Sequence, residues 1–437
     1  MTDSSPAKRN SVLRRVRVLL RRRGLTAQVW RGRVAIMGGA ILVGLAAIAF
    51  AWSADRANDG FNLIVRRCWW LPLVMTPAGY VLIVWITNRL APAARGSGIP
   101  QIIAAKRDPA NATGELASGR TAAVKAVLTA AALAVGGSVG REGPTVQLGA
   151  TIMAYAHKFL RVPINASVLV AGAAAGVAAA FNTPLAGVAF AIEELAAAYE
   201  QRMTLLVMTA VLIAGMIAQG VAGDYVYFGI VGQTLPLMTV LFVAPIAGVM
   251  GGVCGSLFAR LTLWFARGGA RRISGGRPLL LAAISGVVVA AIGLLTGTTW
   301  GTGYGPARAI IEGSNSSLWF GPAKFVSTLA TAAAGLPGGI FAPSLATGAG
   351  LGNILHAIFP NQPTGALVLL AMVGYFTGVV RAPLTAVIIM SETTGSRGLM
   401  LPLLATALIA EGVAGLVCRE RLYHGLASGF IASGKKP

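Results

Sequence analysis

An all-α protein that crosses a membrane many times is predicted by three features: scarce charge, a succession of long apolar runs, and dense glycine and proline. Of 437 residues, 55% are hydrophobic and 11% are charged, where a soluble domain is about a quarter charged. A helix crosses the ~30 Å hydrocarbon core with about 20 apolar residues. Charge-free runs of that length recur at Val34–Ala54, Cys68–Asn88, Val162–Ile192, Met203–Gly223, Tyr225–Ala259, Pro278–Ala307 and Phe325–Val380. They are continuous rather than alternating, which argues against a β-barrel. Gly 56 and Pro 21 are too many for simple long helices. Broken backbone at membrane depth persists only where protein or a water-filled cavity satisfies its polar groups. Many of the helices are therefore expected to be short, interrupted and enclosed by neighbours, as in transporters with discontinuous helices.

Charge collects outside these runs. Lys8, Arg9, Arg14, Arg15, Arg17, Arg21, Arg22, Arg23, Arg31 and Arg33 precede the first span, against Asp3, and the formal net charge is +22. The positive-inside bias makes residues 1–33 a cytoplasmic arm touching anionic lipid; no nucleic-acid-binding fold accompanies the charges, so no nucleic-acid partner is expected. Arg267, Arg271, Arg272 and Arg277 mark a second cytoplasmic loop. The basic stretch is too long, and the run after it too complete, for a cleavable signal peptide. Cys68, Cys254 and Cys418 give no disulfide framework. His157, His356 and His424 lack metal-ligand spacing, so neither a metal nor an organic cofactor is expected.

An internal repeat divides the chain. Gly140-Arg-Glu-Gly-Pro144-Thr145 with Gly149-Ala150 matches Gly339-Ile-Phe-Ala-Pro343-Ser344 with Gly348-Ala349 at an offset of 199 residues. The same offset links Pro184-Leu185, Val188 and Glu193 to Pro383-Leu384, Val387 and Glu392. A weaker echo, at offset 205, pairs Gly96-Ser-Gly98-Ile99 with Gly301-Thr-Gly303-Tyr304. Two transmembrane halves follow, residues 34–222 and 223–437, with a substrate site expected where they meet near the midplane. Glu193 has a repeat mate in Glu392, which suggests a structural role common to both halves.

Three Gly-x-x-x-Pro turns stand out: Gly96-Ser97-Gly98-Ile99-Pro100, Gly140-Arg141-Glu142-Gly143-Pro144 and Gly339-Ile340-Phe341-Ala342-Pro343. Glycine allows a tight bend, and proline loses nothing in the first turn of a helix. Each turn thus reads as a helix start, with unpaired N–H groups and about half a positive charge. Several such starts converging in a low dielectric would hold a dehydrated anion without Lys or Arg, weakly enough to release it. An inorganic-anion pathway is the functional class this predicts. Ser97 can add a neutral donor. Glu142, an ionisable group at membrane depth, is a functional residue by default. Its carboxylate would compete for the same N–H groups as the anion, so protonating it would free the site. Only the Gly140 turn carries such a group, so the gate lies in one half.

These three motifs, in this order and spacing, resemble the signature stretches of the CLC family of chloride channels and proton-coupled chloride transporters, of the prokaryotic type. The similarity continues through Phe181-Asn182-Thr-Pro184-Leu185-Ala-Gly187, Glu193-Glu194, Arg381-Ala-Pro383-Leu384-Thr385 and Tyr423, and covers residues from about 90 to the end and the first span. The resemblance implies a CLC-type inverted repeat and a homodimer with one pore per subunit. It implies chloride coordination by Ser97, Tyr423 and the amides of Ile340 and Phe341, with Glu142 as gate and external proton acceptor. Glu194 matches the internal proton acceptor of exchangers, where many channels are apolar. A serine at position 97 points to chloride, since proline there accompanies nitrate preference and methionine some fluoride exporters. Gln101 departs from the acidic residue expected after Gly-Ser-Gly-Ile-Pro. No cytoplasmic CBS pair is expected after Pro437. The expected function is chloride/proton antiport in a bacterial inner membrane with both termini cytoplasmic; the alternative is a passive voltage- or pH-gated chloride channel. An intramembrane serine hydrolase using Ser97 would need a histidine base at the same depth, which the contexts of His157, His356 and His424 do not offer, so no enzymatic role is expected.

Overall fold

The computed structural model describes residues 27–195, 201–223, 227–314, 316–396 and 398–433. The basic positions from Lys8 to Arg23 lie outside them. Among the described residues the chain is helical throughout: α1 (Ala27–Arg67), α2 (Pro72–Leu90), α3 (Ile99–Ala105), α4 (Gly119–Ala134), α5 (Glu142–Phe159), α6 (Ala166–Phe181), α7 (Pro184–Phe190), α8 (Gln201–Ala222) and α9 (Leu237–Trp264). After these come α10 (Ala270–Ser274), α11 (Pro278–Thr296), α12 (Tyr304–Ile311), α13 (Phe320–Ala334), α14 (Phe341–Ile358), α15 (Thr364–Val380), α16 (Pro383–Thr394), α17 (Met400–Val417) and α18 (Leu422–Ser433). Six helices are long and apolar enough to cross a membrane, and α6 and α15 are shorter apolar helices.

The apolar runs do not map one to one onto spans. Val162–Ile192 holds α6, a break at Asn182 and α7, while Phe325–Val380 holds most of α13 and all of α14 and α15. α1 takes in Arg31 and Arg33, the end of the basic arm. Its 41 residues make a rod of ~60 Å at 1.5 Å per residue, about twice the hydrocarbon thickness, so its charged ends, before Val34 and from Asp55 onward, extend beyond the apolar stretch.

The repeat is visible in the backbone. Asn182 and Arg381, 199 residues apart, end α6 and α15 in the left-handed conformation at φ 58° and 61°, rare for residues with a side chain. Each is followed two positions later by the proline that starts α7 or α16. α15 is buried along its whole length and α6 from Val168 onward. Each is enclosed in the same way: α6 by α1, α5 and α8, and α15 by α9, α14 and α17. Matched helices also touch one another, α2 against α11 and α7 against α16.

The second of these contacts is reciprocal. Glu193, in the π-helical turn Ala191–Leu195 that continues α7, accepts the N–H groups of Leu384 (2.9 Å) and Thr385 (2.6 Å) and the Thr385 hydroxyl (2.6 Å) at the start of α16. Glu392, in α16, accepts the N–H groups of Leu185 (3.2 Å) and Ala186 (2.9 Å) at the start of α7. Each half therefore caps a helix of the other, satisfying orphan donors with a carboxylate on the favourable end of the dipole. This is the shared structural role that the pairing of Glu193 with Glu392 predicts.

Candidate functional site

All three Gly-x-x-x-Pro turns start helices, and the backbone ties them together. Gly96 and Gly98 take φ of 68° and 111° before α3, conformations suited to glycine. A Cβ on Gly98 would sit 2.6 Å from the carbonyl oxygen of Gly143, so the first two turns meet backbone to backbone. Gly338 N–H donates to Gly96 O at 3.1 Å, joining the first turn to the third. Gly140 and Gly339 exchange both hydrogen bonds, each 2.7 Å, as an antiparallel bridge. Those residues are repeat mates, so the bridge lies on the axis relating the halves.

Ser97 and Tyr423 are buried beside this junction. Neither hydroxyl closes a hydrogen bond of good geometry among the described residues, although the Tyr423 phenol faces the Ser97 hydroxyl. Both line a cavity of about 460 Å³ together with Gly96, Ser138, Gly339 and Ile340. The Phe341 ring is fixed in an aromatic cluster, with centroids 4.9 Å from Phe376, 5.7 Å from Phe190 and 6.0 Å from Tyr423. That packing immobilises the start of α14, and with it the backbone amides of Ile340 and Phe341.

Glu142 is fully buried at the start of α5. Tyr304 Oη donates to its Oε1 at 2.5 Å. The carboxylate also faces the amides of Glu142 and Ala342, and Oε2 closes no hydrogen bond among the described residues. The carboxylate thus lies between the second and third helix starts. Arg141 does not pair with it. The guanidinium instead reaches Asp55 (2.6 Å), Tyr227 Oη (2.7 Å) and Ala51 O (3.0 Å), and the Asp55 side chain is 60% exposed. Tyr227 and Phe228 pack on the Tyr304 ring at 4.1 and 5.4 Å between centroids.

At the other carboxylate pair the structure separates the two neighbours. Glu193 is partly exposed and serves as the cap on α16, whereas Glu194 is buried. Glu194 is therefore not a solvated helix-end carboxylate. Its Oε1 lies 3.3 Å from His424 Nδ1. Tyr423 stands within electrostatic reach of both Glu194 and Glu142.

Several residues of this region escaped the sequence reading. Lys125 Nζ donates to Gly96 O at 2.7 Å, and Lys324 Nζ to Gly301 O (2.7 Å) and Thr299 O (2.9 Å). Both lysines are buried, and they are 199 residues apart. Each braces one of the two glycine turns of the weaker echo, where Gly301 and Gly303 also have positive φ. Gln101, the departure after Pro100, donates to Ala93 O (3.0 Å) and Arg95 O (2.6 Å) and holds the segment entering the first turn. The spacing of Lys125 and Lys324 was available as a signal; the Tyr304–Glu142 and His424–Glu194 contacts were not, since they join residues far apart in sequence.

The model of the voltage-gated chloride channel family matches residues 79–415. The chain belongs to that family. Its fold matches a slow cyanobacterial Cl-/H+ antiporter with a TM-score of 0.80 at 24% identity, covering 93% of this chain and 99% of the other. A CLC-type fluoride/proton antiporter gives 0.78 at 20% identity over 90% of this chain and 98% of that one. A eukaryotic CLC transporter gives 0.74 at 22% identity over 91% and 74%. This CLC protein is thus an ion-transport protein of the membrane with the inverted-repeat helical fold, and the three turns lie within its family match.

Proposed function

We propose that the protein exchanges chloride for protons, with Glu142 as gate and external proton acceptor and Glu194 as internal proton acceptor. The observation that carries the reading is the buried Glu142 carboxylate lodged where helix starts converge on an anion site. Chloride is held by the hydroxyls of Ser97 and Tyr423 and the amides of Ile340 and Phe341. Gly96, Gly98, Ile99, Pro100, Gly140, Arg141, Gly143, Pro144, Gly339, Ala342 and Pro343 shape the turns around it. The facing Ser97 and Tyr423 hydroxyls, buried donors without charge, support this assignment. When Glu142 is ionised it fills the place of an anion; when protonated it loses that attraction and the path opens. Occupancy by proton and by chloride is then linked, and the linkage is reciprocal.

The cyanobacterial relative is described as a Cl-/H+ antiporter, which agrees with exchange, and so does a carboxylate buried at Glu194. The halves are residues 34–222 and 223–437. Arg260, Arg267, Arg272 and Arg419 line one basic recess beside Glu420, and we assign that face and both termini to the cytoplasmic side of a bacterial inner membrane. The functional unit is a homodimer with one pore in each subunit.

Proteoliposomes carrying an imposed chloride gradient test the proposal. Chloride moving down its gradient should drive protons uphill, and Glu142→Ala should keep chloride flux while losing proton movement. Chloride flux with no uphill protons in the wild type would make the protein a passive channel. Retained coupling in Glu142→Ala would remove the gate from that residue.

A further inference from the structure

His424 stands between water and a carboxylate that water does not reach. Its side chain is 42% exposed, that of Glu194 is fully enclosed, and Nδ1 to Oε1 is 3.3 Å. Neither oxygen of Glu194 completes a hydrogen bond among the described residues. Among the described residues few other titratable groups face Glu194. Lys106, just beyond α3, donates to Leu195 O at 2.5 Å, and Arg421 donates to Glu193 O at 3.3 Å. Both cations lie within electrostatic reach of Glu194. Glu193 is committed to the start of α16. On the α9 side, Arg267 pairs with Glu420, and Arg260 and Arg419 line the basic recess. Tyr423 is buried on the inner side.

Of these groups, an arginine does not release its proton in a protein, and the lysine donates into a backbone carbonyl. An imidazole changes protonation between pH 5 and 8 and works as a proton shuttle. We propose that His424 is the relay that passes protons between the cytoplasmic water and Glu194. In the inward step the imidazolium Nδ1–H bond breaks and an O–H bond forms at Oε1. A neutral ring and a neutral carboxyl group remain, and the ring takes its next proton from water. Outward transfer is the reverse. The inference rests on Glu194 being the internal proton acceptor.

The experiment measures chloride-driven proton flux in proteoliposomes from pH 5.5 to 8.5 for the wild type, His424→Asn, His424→Ala and Glu194→Gln. His424→Asn keeps a polar side chain of similar size but cannot relay. It should lower proton flux roughly a hundredfold or more near neutral pH, the range of a lost proton-transfer group, and flatten the pH profile. Imidazole in the buffer should restore flux to His424→Ala, while a bulky buffer of similar pKa should not; a packing role would not be rescued this way. Wild-type flux and pH profile in His424→Asn overturn the relay. If Glu194→Gln abolishes coupling while both His424 variants retain it, the relay fails alone. If Glu194→Gln stays coupled, the assignment of Glu194 fails and the relay with it.

Discussion

Glu142 is held from two directions: by the start of the helix it belongs to and by Tyr304, which reaches it from the other half at 2.5 Å. At the repeat offset its counterpart is Phe341, a ring packed among other rings, so the same backbone position carries an acid in one half and an aromatic wedge in the other. The phenol donor favours the carboxylate where it lies, against an anion that would displace it. A hydrogen bond to a charged group is worth about 1.5–3 kcal/mol, and 1.4 kcal/mol is tenfold in affinity. Tyr304→Phe should therefore strengthen chloride binding roughly tenfold, as read by calorimetry at a pH where Glu142 is ionised. Unchanged or weaker binding would mean that the phenol does not bias the gate. The buried Lys125 and Lys324 act one step further back, each bracing a glycine turn through its carbonyl oxygens.

Among the helices, the crossed caps make a separate prediction. Glu193→Ala removes the acceptor of three donors and Glu392→Ala that of two. Loss of a helix cap costs about 0.5–2 kcal/mol, so both variants should unfold earlier in denaturant, Glu193→Ala by more. Equal stability to the wild type would show that water satisfies these helix starts. The same elements indicate what the sequence could reveal. The helix starts were legible because glycine and proline act locally, and the pairing of Glu193 with Glu392 because a repeat conserves spacing. The crossing of the caps was not legible, because it depends on how α7 and α16 lie against each other. Nor was the division of Val162–Ile192 into two helices, since hydropathy does not register a left-handed residue such as Asn182. Nor was the role of His424 legible, because its partner Glu194 lies more than two hundred positions earlier.

At the scale of the molecule, every proposed ligand and gate residue comes from one chain: Ser97 from the first turn, Glu142 from the second, Ile340 and Phe341 from the third, and Tyr423 from α18. Mixed oligomers of wild-type and Glu142→Ala chains should then show proton coupling in proportion to the wild-type subunits. A dominant loss, with coupling falling far below the wild-type fraction, would mean that the gates act together.

The bridge between Gly140 and Gly339 bears on how such a protein moves. Many transporters expose their site alternately by rocking one repeat against the other. Here the two repeats are pinned at their midpoint by two backbone hydrogen bonds of 2.7 Å, and rocking would shear both. In an apolar medium each is worth about 4–6 kcal/mol if nothing replaces it. Swinging one glutamate side chain breaks neither. The bridge thus opposes a rocking stroke, which the gate proposed at Glu142 does not need.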